Sequence, residues 1–158
     1  MKKNEKTNVM RVLDQKKVSY VSHSYVDTDA ISGVEVAKVL NQDPNQVFKT
    51  LVTIGASKKY YVYLVPVHKE LDLKKAAKAV GEKSIVMLPA KDLLPLTGYI
   101  HGGCSPIGMK KQFQTTIDHT AANFDTIVFS AGKIGYQVEL PLEELKKVIR
   151  FELKEITE

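Results

Sequence analysis

The apolar positions change period several times along the chain, and each change marks an element. After Thr7, a helix cap, Val9, Val12 and Leu13 recur at helical spacing with Met10 beside them, which predicts a helix over 8–16. Val18 to Val26 reads as a strand of mixed alternation, and Asp27-Thr28-Asp29 as a turn. Ser32-Gly33-Val34-Glu35 has the S-x-x-E form of a capping box. The helix it opens runs to Leu40, burying Val36, Ala37, Val39 and Leu40, and Asn41 fits its end. Asp43-Pro44-Asn45 turns the chain into a strand over 47–54, which Gly55 to Lys58 joins as a hairpin to Tyr60–Val67. That return strand is apolar on both faces, and Pro66 marks its end.

The second half continues the mixture. Asp72 caps a helix with the stripe Leu73, Ala76, Ala77 and Val80, ended by Gly81. Ile85 to Leu88 reads as a strand and Pro89 to Leu96 as a short helix. Gly98 to Gly108 reads as a strand running into a glycine-rich loop. Strands are expected over 114–118, 126–130 and 136–140, with a helical turn over 120–124. Pro141, Glu143 and Glu144, then Lys146, Lys147 and Arg150, carry the start and stop signals of a last helix. Phe151 to Glu158 is left as a strand or a disordered tail. Without strict βαβ alternation or an internal repeat, the pattern predicts an α+β fold: a mixed, curved β-sheet or partial barrel surrounded by helices.

Composition narrows this picture only modestly. A chain of 158 residues with 44% hydrophobic and 26% charged residues fits one soluble globular domain over 1–158. No signal peptide or membrane span is visible, and the single cysteine, Cys104, excludes an internal disulfide; a cytoplasmic protein is the simplest expectation. The formal charge of +5 favours a polyanionic partner such as RNA, although charge also serves solubility. Only Arg11 and Arg150 are arginines, so backbone attraction is expected rather than base reading by an arginine cluster.

Three stretches invite chemistry. On the strand over 47–54, alternation puts Val47, Lys49, Leu51 and Thr53 on one face and Phe48, Thr50, Val52 and Ile54 on the other. A lysine there either snorkels from a rim or points into a binding cavity. Gly102 and Gly103 allow backbone to approach a ligand closely, or simply make a tight turn. His101 with Cys104 has the composition of a base and nucleophile, against a small packed cysteine. Ser130-Ala131-Gly132-Lys133, at a strand end, offers a hydroxyl and amides, or a plain β-turn. His23, His68, His101 and His119 show no metal-ligand spacing, and no metal or cofactor is expected.

Taken in order, Val47-Phe48-Lys49-Thr50-Leu51, Leu73 to Lys78, Thr97-Gly98-Tyr99, Gly102-Gly103, Ser105-Pro106, Gly108, Lys110-Lys111 and Ser130-Ala131-Gly132-Lys133 resemble the YbaK/EbsC family. These are trans-editing aminoacyl-tRNA deacylases related to the editing domain of prolyl-tRNA synthetase. The resemblance implies that fold, and hydrolysis of the ester of a mischarged tRNA, with Cys-tRNA(Pro) closest. It implies mischarged tRNA as partner, and prolyl-tRNA synthetase as a further one. Lys49 matches the key catalytic lysine of the family. Tyr25, Gly102 and Ser130 match substrate-binding positions, with Thr50, Gly103 and Gly132 beside them. The sequence departs from relatives at Ser32, Cys104 and Gln137. In cysteine-specific relatives the substrate thiol is thought to attack its own carbonyl. A noncatalytic module for tRNA 3′ ends or for a synthetase is the competing expectation.

Overall fold

The fold is described from a computed structural model covering residues 6–158. Helix α1 (Asn8–Gln15) starts where the sequence puts it, because the Thr7 hydroxyl accepts from the Met10 amide. It buries Val9, Met10 and Leu13. Strand β1 (Val21–Ser24) is shorter than the expected 18–26. The helix takes Val18 for its own C-terminal turn, whose amide bonds the Leu13 carbonyl, and Tyr25 to Thr28 form another turn. Helix α2 (Gly33–Val39) has the reciprocal capping box of Ser32 and Glu35.

Strands β2 (Phe48–Gly55) and β3 (Tyr60–Pro66) form the central hairpin. Helix α3 (Leu73–Val80) is capped by Asp72, which accepts from Lys74 and Lys75, and ends on left-handed Gly81. Then follow β4 (Ile85–Met87), α4 (Ala90–Thr97), β5 (Gln114–Asp118), a 3-10 turn (His119–Asn123), β6 (Ile127–Ser130), β7 (Tyr136–Leu140), α5 (Leu142–Leu145) and β8 (Phe151–Lys154).

Val39 and Leu73, expected in buried stripes, are exposed, and two further expectations fail. No strand forms over Gly98 to Gly108. Gly98 is the left-handed cap of α4, and Tyr99 anchors the loop by its side chain, its hydroxyl donating to the Ile107 carbonyl at 2.5 Å. The last helix is a single turn. Beyond Leu145 only Ile149 is buried on that segment, so there is little apolar gain to extend it. The open tail is resolved as a strand, β8.

Among the described residues, eight strands make two open sheets, ordered β4-β2-β3-β5-β8 and β1-β7-β6. Pairing is mixed: β3-β5 and β5-β8 are parallel and the rest antiparallel. A parallel bridge between Val47 and Val128 joins the sheets. The result is the partial barrel with surrounding helices that the pattern implies. Its main core lies between the sheets and α1, built from Phe48, Val52, Phe129, Val138, Leu140 and Leu13. On the outer face of β2 there are two smaller clusters. Ala37 of α2 covers Val47, Val67 and Val128. Ala76 and Ala77 of α3 cover Tyr63, Val65 and Leu51.

Candidate functional site

Lys49 sits between those two clusters. Val47, two residues before it on the same face, lies under α2, and Leu51, two residues after it, lies under α3. The lysine therefore occupies a cleft between the helices, on a strand whose two neighbours on that face are packed. Its ammonium lies 3.5 Å from a Glu70 carboxylate oxygen; the lysine side chain is 29% exposed and the glutamate 74%. So exposed a partner is a weak and replaceable one.

The strand register extends the cleft. Val47 and Val128 face each other across the bridge, so Lys49 and Ser130 come next on the same face of β2 and β6. Ser130 pairs with Gln137, and Gln137 with His23. A polar row thus crosses four strands: His23, Gln137, Ser130, Lys49. Helix α2 lies beside it: Gly33 packs against Val67 at its start, and Gln42, three residues past its end, donates to buried Gln137.

The loops expected from the sequence lie along the edge of this row. The Ser130 hydroxyl accepts from the Gly132 amide at 3.1 Å. Gly132 is left-handed (φ 89°), and a Cβ there would meet Tyr99 and Val9 at 2.9 Å, so only glycine lets the turn sit on the core. A Cβ on Gly103 would lie 3.2 Å from the Ile134 amide nitrogen, and one on Gly102 would touch the Ile134 side chain. Tyr25 donates its amide to the Gly135 carbonyl at 2.8 Å. The Tyr25 turn, the Gly102-Gly103 loop and the 130–135 turn therefore pack on one another, along the edge of the row where β1 and β6 end and β7 begins. Thr50 is placed differently. Its side chain leaves the opposite face of β2, and its hydroxyl is buried without a hydrogen-bond partner.

Three polar features escaped the sequence. The Gln46 side-chain amide donates to the Thr126 hydroxyl at 2.9 Å, and Thr126 donates to Glu139 at 2.5 Å. Glu139 in turn meets the His23 Nε2 at 2.6 Å. Burial alone would raise the Glu139 carboxyl, but the bonds from Thr126 and His23 outweigh it and hold the group below the usual carboxylate range. Gln42 donates to the Gln137 side-chain oxygen at 2.8 Å, and its own oxygen is buried without a partner. Glu70 beside Lys49 is the third. Alternation marks the inward positions on β1 and β7. Their pairing joins residues more than a hundred positions apart, which no local pattern reveals.

The geometry disposes of the cysteine reading. Cys104 is buried in the main core, and burial pushes its thiol up to about 12. A nucleophilic cysteine needs the reverse shift. A cavity of about 650 Å³ lies between α1 and β1 and is lined by none of Lys49, Tyr25, Thr50, Gly102, Gly103, Ser130 or Gly132. The row, unlike that cavity, brings Lys49 and the Ser130 hydroxyl to one face beside the glycine turns. His23 alone belongs to both.

Residues 28–148 match the model of the aminoacyl-tRNA editing domain. The chain belongs to the aminoacyl-tRNA editing domain family. A curated relative from Enterococcus faecalis, "Putative Cys-tRNA(Pro)/Cys-tRNA(Cys) deacylase EbsC", is 45% identical over 99% of this chain and 96% of its own length. A solved structure described as "a putative trans-editing enzyme for prolyl tRNA synthetase" matches with a TM-score of 0.81 at 21% identity, over 96% of this chain and 98% of that one. Another, of a hypothetical protein, matches with a TM-score of 0.83 at 17% identity, over 96% and 100%. These two share the fold. As an editing-domain protein, the chain is an aminoacyl-tRNA deacylase, and its reaction hydrolyses the ester between amino acid and tRNA. Among the described residues no helix is long and apolar enough to cross a membrane.

Proposed function

We propose that this editing enzyme clears Cys-tRNA(Pro), acting in trans, with Lys49 as its principal catalytic residue. The observation that supports this is the register that puts Lys49 and Ser130 on one face, with the Tyr25, Gly102-Gly103 and Gly132 segments packed on one another where β6 ends. An aminoacyl ester is already activated, so the site has to orient and polarise it rather than supply a protein nucleophile. The Lys49 ammonium serves as a charge-assisted donor to the terminal adenosine or the ester carbonyl, taking the place of its bond to exposed Glu70. Amides of the Gly102-Gly103 loop and the Gly132 turn stabilise the developing oxyanion. In a cysteinyl ester the substrate thiol attacks the carbonyl, giving a cyclic thiolactone and free tRNA. A small pocket excludes proline by bulk, the kind of discrimination that packed walls provide.

The relative named for Cys-tRNA(Pro) and Cys-tRNA(Cys) supports the choice of amino acid. The experiment is a deacylation panel over cysteinyl, alanyl and prolyl tRNA(Pro) and cysteinyl tRNA(Cys), with and without prolyl-tRNA synthetase. Fast loss of cysteine and sparing of proline are expected. Stimulation by the synthetase identifies it as a partner. Binding without release would favour a noncatalytic module for the tRNA 3′ end.

A further inference from the structure

We propose that the loop over 98–112 and the 130–135 turn form the surface that holds the unpaired 3′ strand of the tRNA. Lys110, Lys111 and Lys133 take its phosphates, and Ile100 and Ile134 take the faces of its bases. The inference rests on the deacylase reading above and adds the path by which the nucleic acid reaches the ester.

The charge is laid down in the sequence. Residues 93–117 hold Lys110 and Lys111 and no aspartate or glutamate, and residues 126–138 hold Lys133 and again no acidic residue. All three lysines are exposed. The two segments meet at the glycine pair. A Cβ on Gly103 would lie 3.5 Å from the Lys133 Cα and 3.2 Å from the Ile134 amide nitrogen. Lys133 therefore stands against the loop, on the turn that follows Ser130. Asp27 and Asp29 belong to the Tyr25 turn, which meets the 130–135 turn at Gly135 rather than at Lys133. A second basic cluster, Lys75, Lys78 and Lys154 around a cavity of about 390 Å³, is offset by carboxylates. Glu155 lines that cavity and pairs with Lys75 at 2.9 Å, and Glu152 lies 3.8 Å from Lys154.

The loop is held in shape before any strand arrives. The Lys110 amide closes its base by donating to the Thr97 carbonyl at 3.0 Å, and the Tyr99 hydroxyl braces it from inside through the Ile107 carbonyl. The Lys110 stem runs over Gly98, 3.5 Å from its Cβ position, and its ammonium donates to the Pro95 carbonyl at 3.2 Å. A neutral carbonyl leaves that charge available to a phosphate. A surface fixed in this way has little conformational freedom left to lose on binding.

Ile100 and Ile134 are each 51% exposed. The Ile134 side chain rests against the Cβ position of Gly102, and the Ile100 carbonyl accepts from the Gly103 amide at 3.0 Å, so both flank one glycine pair. Single exposed apolar side chains are ordinary. Two of them beside three lysines match a strand whose phosphates are charged and whose bases present apolar faces. An acidic face of a synthetase would suit the lysines alone.

The test is binding of uncharged tRNA(Pro) to the full chain at several salt concentrations, using the whole tRNA and one trimmed of its unpaired 3′ nucleotides. Lys110→Gln/Lys111→Gln keeps much of each stem and removes two charges. Lys74→Gln/Lys78→Gln removes two exposed charges from α3 as the control. The fold of each variant is checked by circular dichroism. Wild type is expected to bind the trimmed tRNA roughly tenfold more weakly than the whole one. The loop variant is expected to bind whole tRNA roughly tenfold more weakly than wild type does, with a log–log salt slope smaller by about 1.4, the value for two single-strand phosphate contacts. It should lose little more on trimming, because both changes remove the same contacts. Ile134→Ser should weaken binding of the whole tRNA alone and leave the salt slope unchanged. In deacylation the loop variant should raise KM with kcat little changed.

Equal affinity of wild type for whole and trimmed tRNA, or additive effects of trimming and the loop substitutions, overturns the proposal. So does a control variant that loses as much as the loop variant. A loop variant that binds tRNA normally and loses only stimulation by prolyl-tRNA synthetase also overturns it, and gives the surface to the synthetase. A wild type that shows the trimming penalty yet releases no cysteine overturns the deacylase reading alone.

Discussion

Gly132→Ala probes the close approach on which the site's end wall depends. Two costs combine. The residue has φ 89°, and placing an L side chain in the left-handed region costs roughly 1–2 kcal/mol. The new Cβ would also lie 2.9 Å from Tyr99 Cε1 and 2.9 Å from Val9 Cγ2, both held in the packed core. Overpacking of this kind costs typically 1–3 kcal/mol, so the total is about 2–5 kcal/mol. Gly81→Ala is the control. Gly81 has φ 74° with nothing within 4 Å of its Cβ position, so it carries the backbone cost alone. Urea unfolding of both variants isolates the packing part. At an m-value of about 2 kcal/mol/M, the Gly132→Ala midpoint should fall below that of Gly81→Ala by roughly 0.5–1.5 M. Equal midpoints would refute the claim that the turn is pinned against Tyr99 and Val9. Deacylation should fall in Gly132→Ala under conditions where it remains folded, and stay intact in Gly81→Ala.

Other substitutions test separate parts of the account. Thr50→Val replaces a buried hydroxyl that has no partner with a methyl of similar size on a strand, and should raise stability by about 1 kcal/mol in urea unfolding, since an unsatisfied buried group costs about 1–3 kcal/mol. A destabilised Thr50→Val would show that the hydroxyl is satisfied in solution. Cys104→Ala should keep full deacylation activity, because burial holds that thiol up near 12 and away from thiolate chemistry; loss of turnover in a folded Cys104→Ala would revive the nucleophile. Glu139 has its carboxyl held below the usual range, so its contribution to stability is complete above the unfolded-state value and lost as pH falls through the folded one. Unfolding of Glu139→Gln between pH 7 and pH 3 should therefore show a shallower acid loss than wild type, and an identical slope would exclude the carboxylate as a contributor.

Local chemistry made much of the fold legible. The Thr7, Ser32 and Asp72 caps and the Gly81 stop set their helix boundaries because each satisfies backbone groups within one turn. The β2-β3 hairpin was readable for the same reason. Gly98 to Gly108 misled because Tyr99 and Ile107 have the apolar character of a strand, yet they hold the loop by side-chain burial and a hydroxyl bond instead of a ladder. The last helix misled because charges at its ends signal direction but bury nothing. At the site, the oddity of a lysine on a two-sided apolar strand was visible. Its explanation was not, since the cleft exists only because α2 and α3 cover Val47 and Leu51 and leave Lys49 between them. Ser130, Gln137 and His23 join Lys49 through pairings of β6, β7 and β1, which depend on the whole topology.

The most direct test is the single-turnover rate of Cys-tRNA(Pro) deacylation by Lys49→Ala, measured beside the wild type with fold and tRNA affinity verified. The account predicts rapid cysteine release by the wild type. For the variant it predicts a loss of at least 100-fold, of the size seen when one preorganised charge-stabilising donor is removed. A folded Lys49→Ala that releases cysteine at the wild-type rate would contradict it.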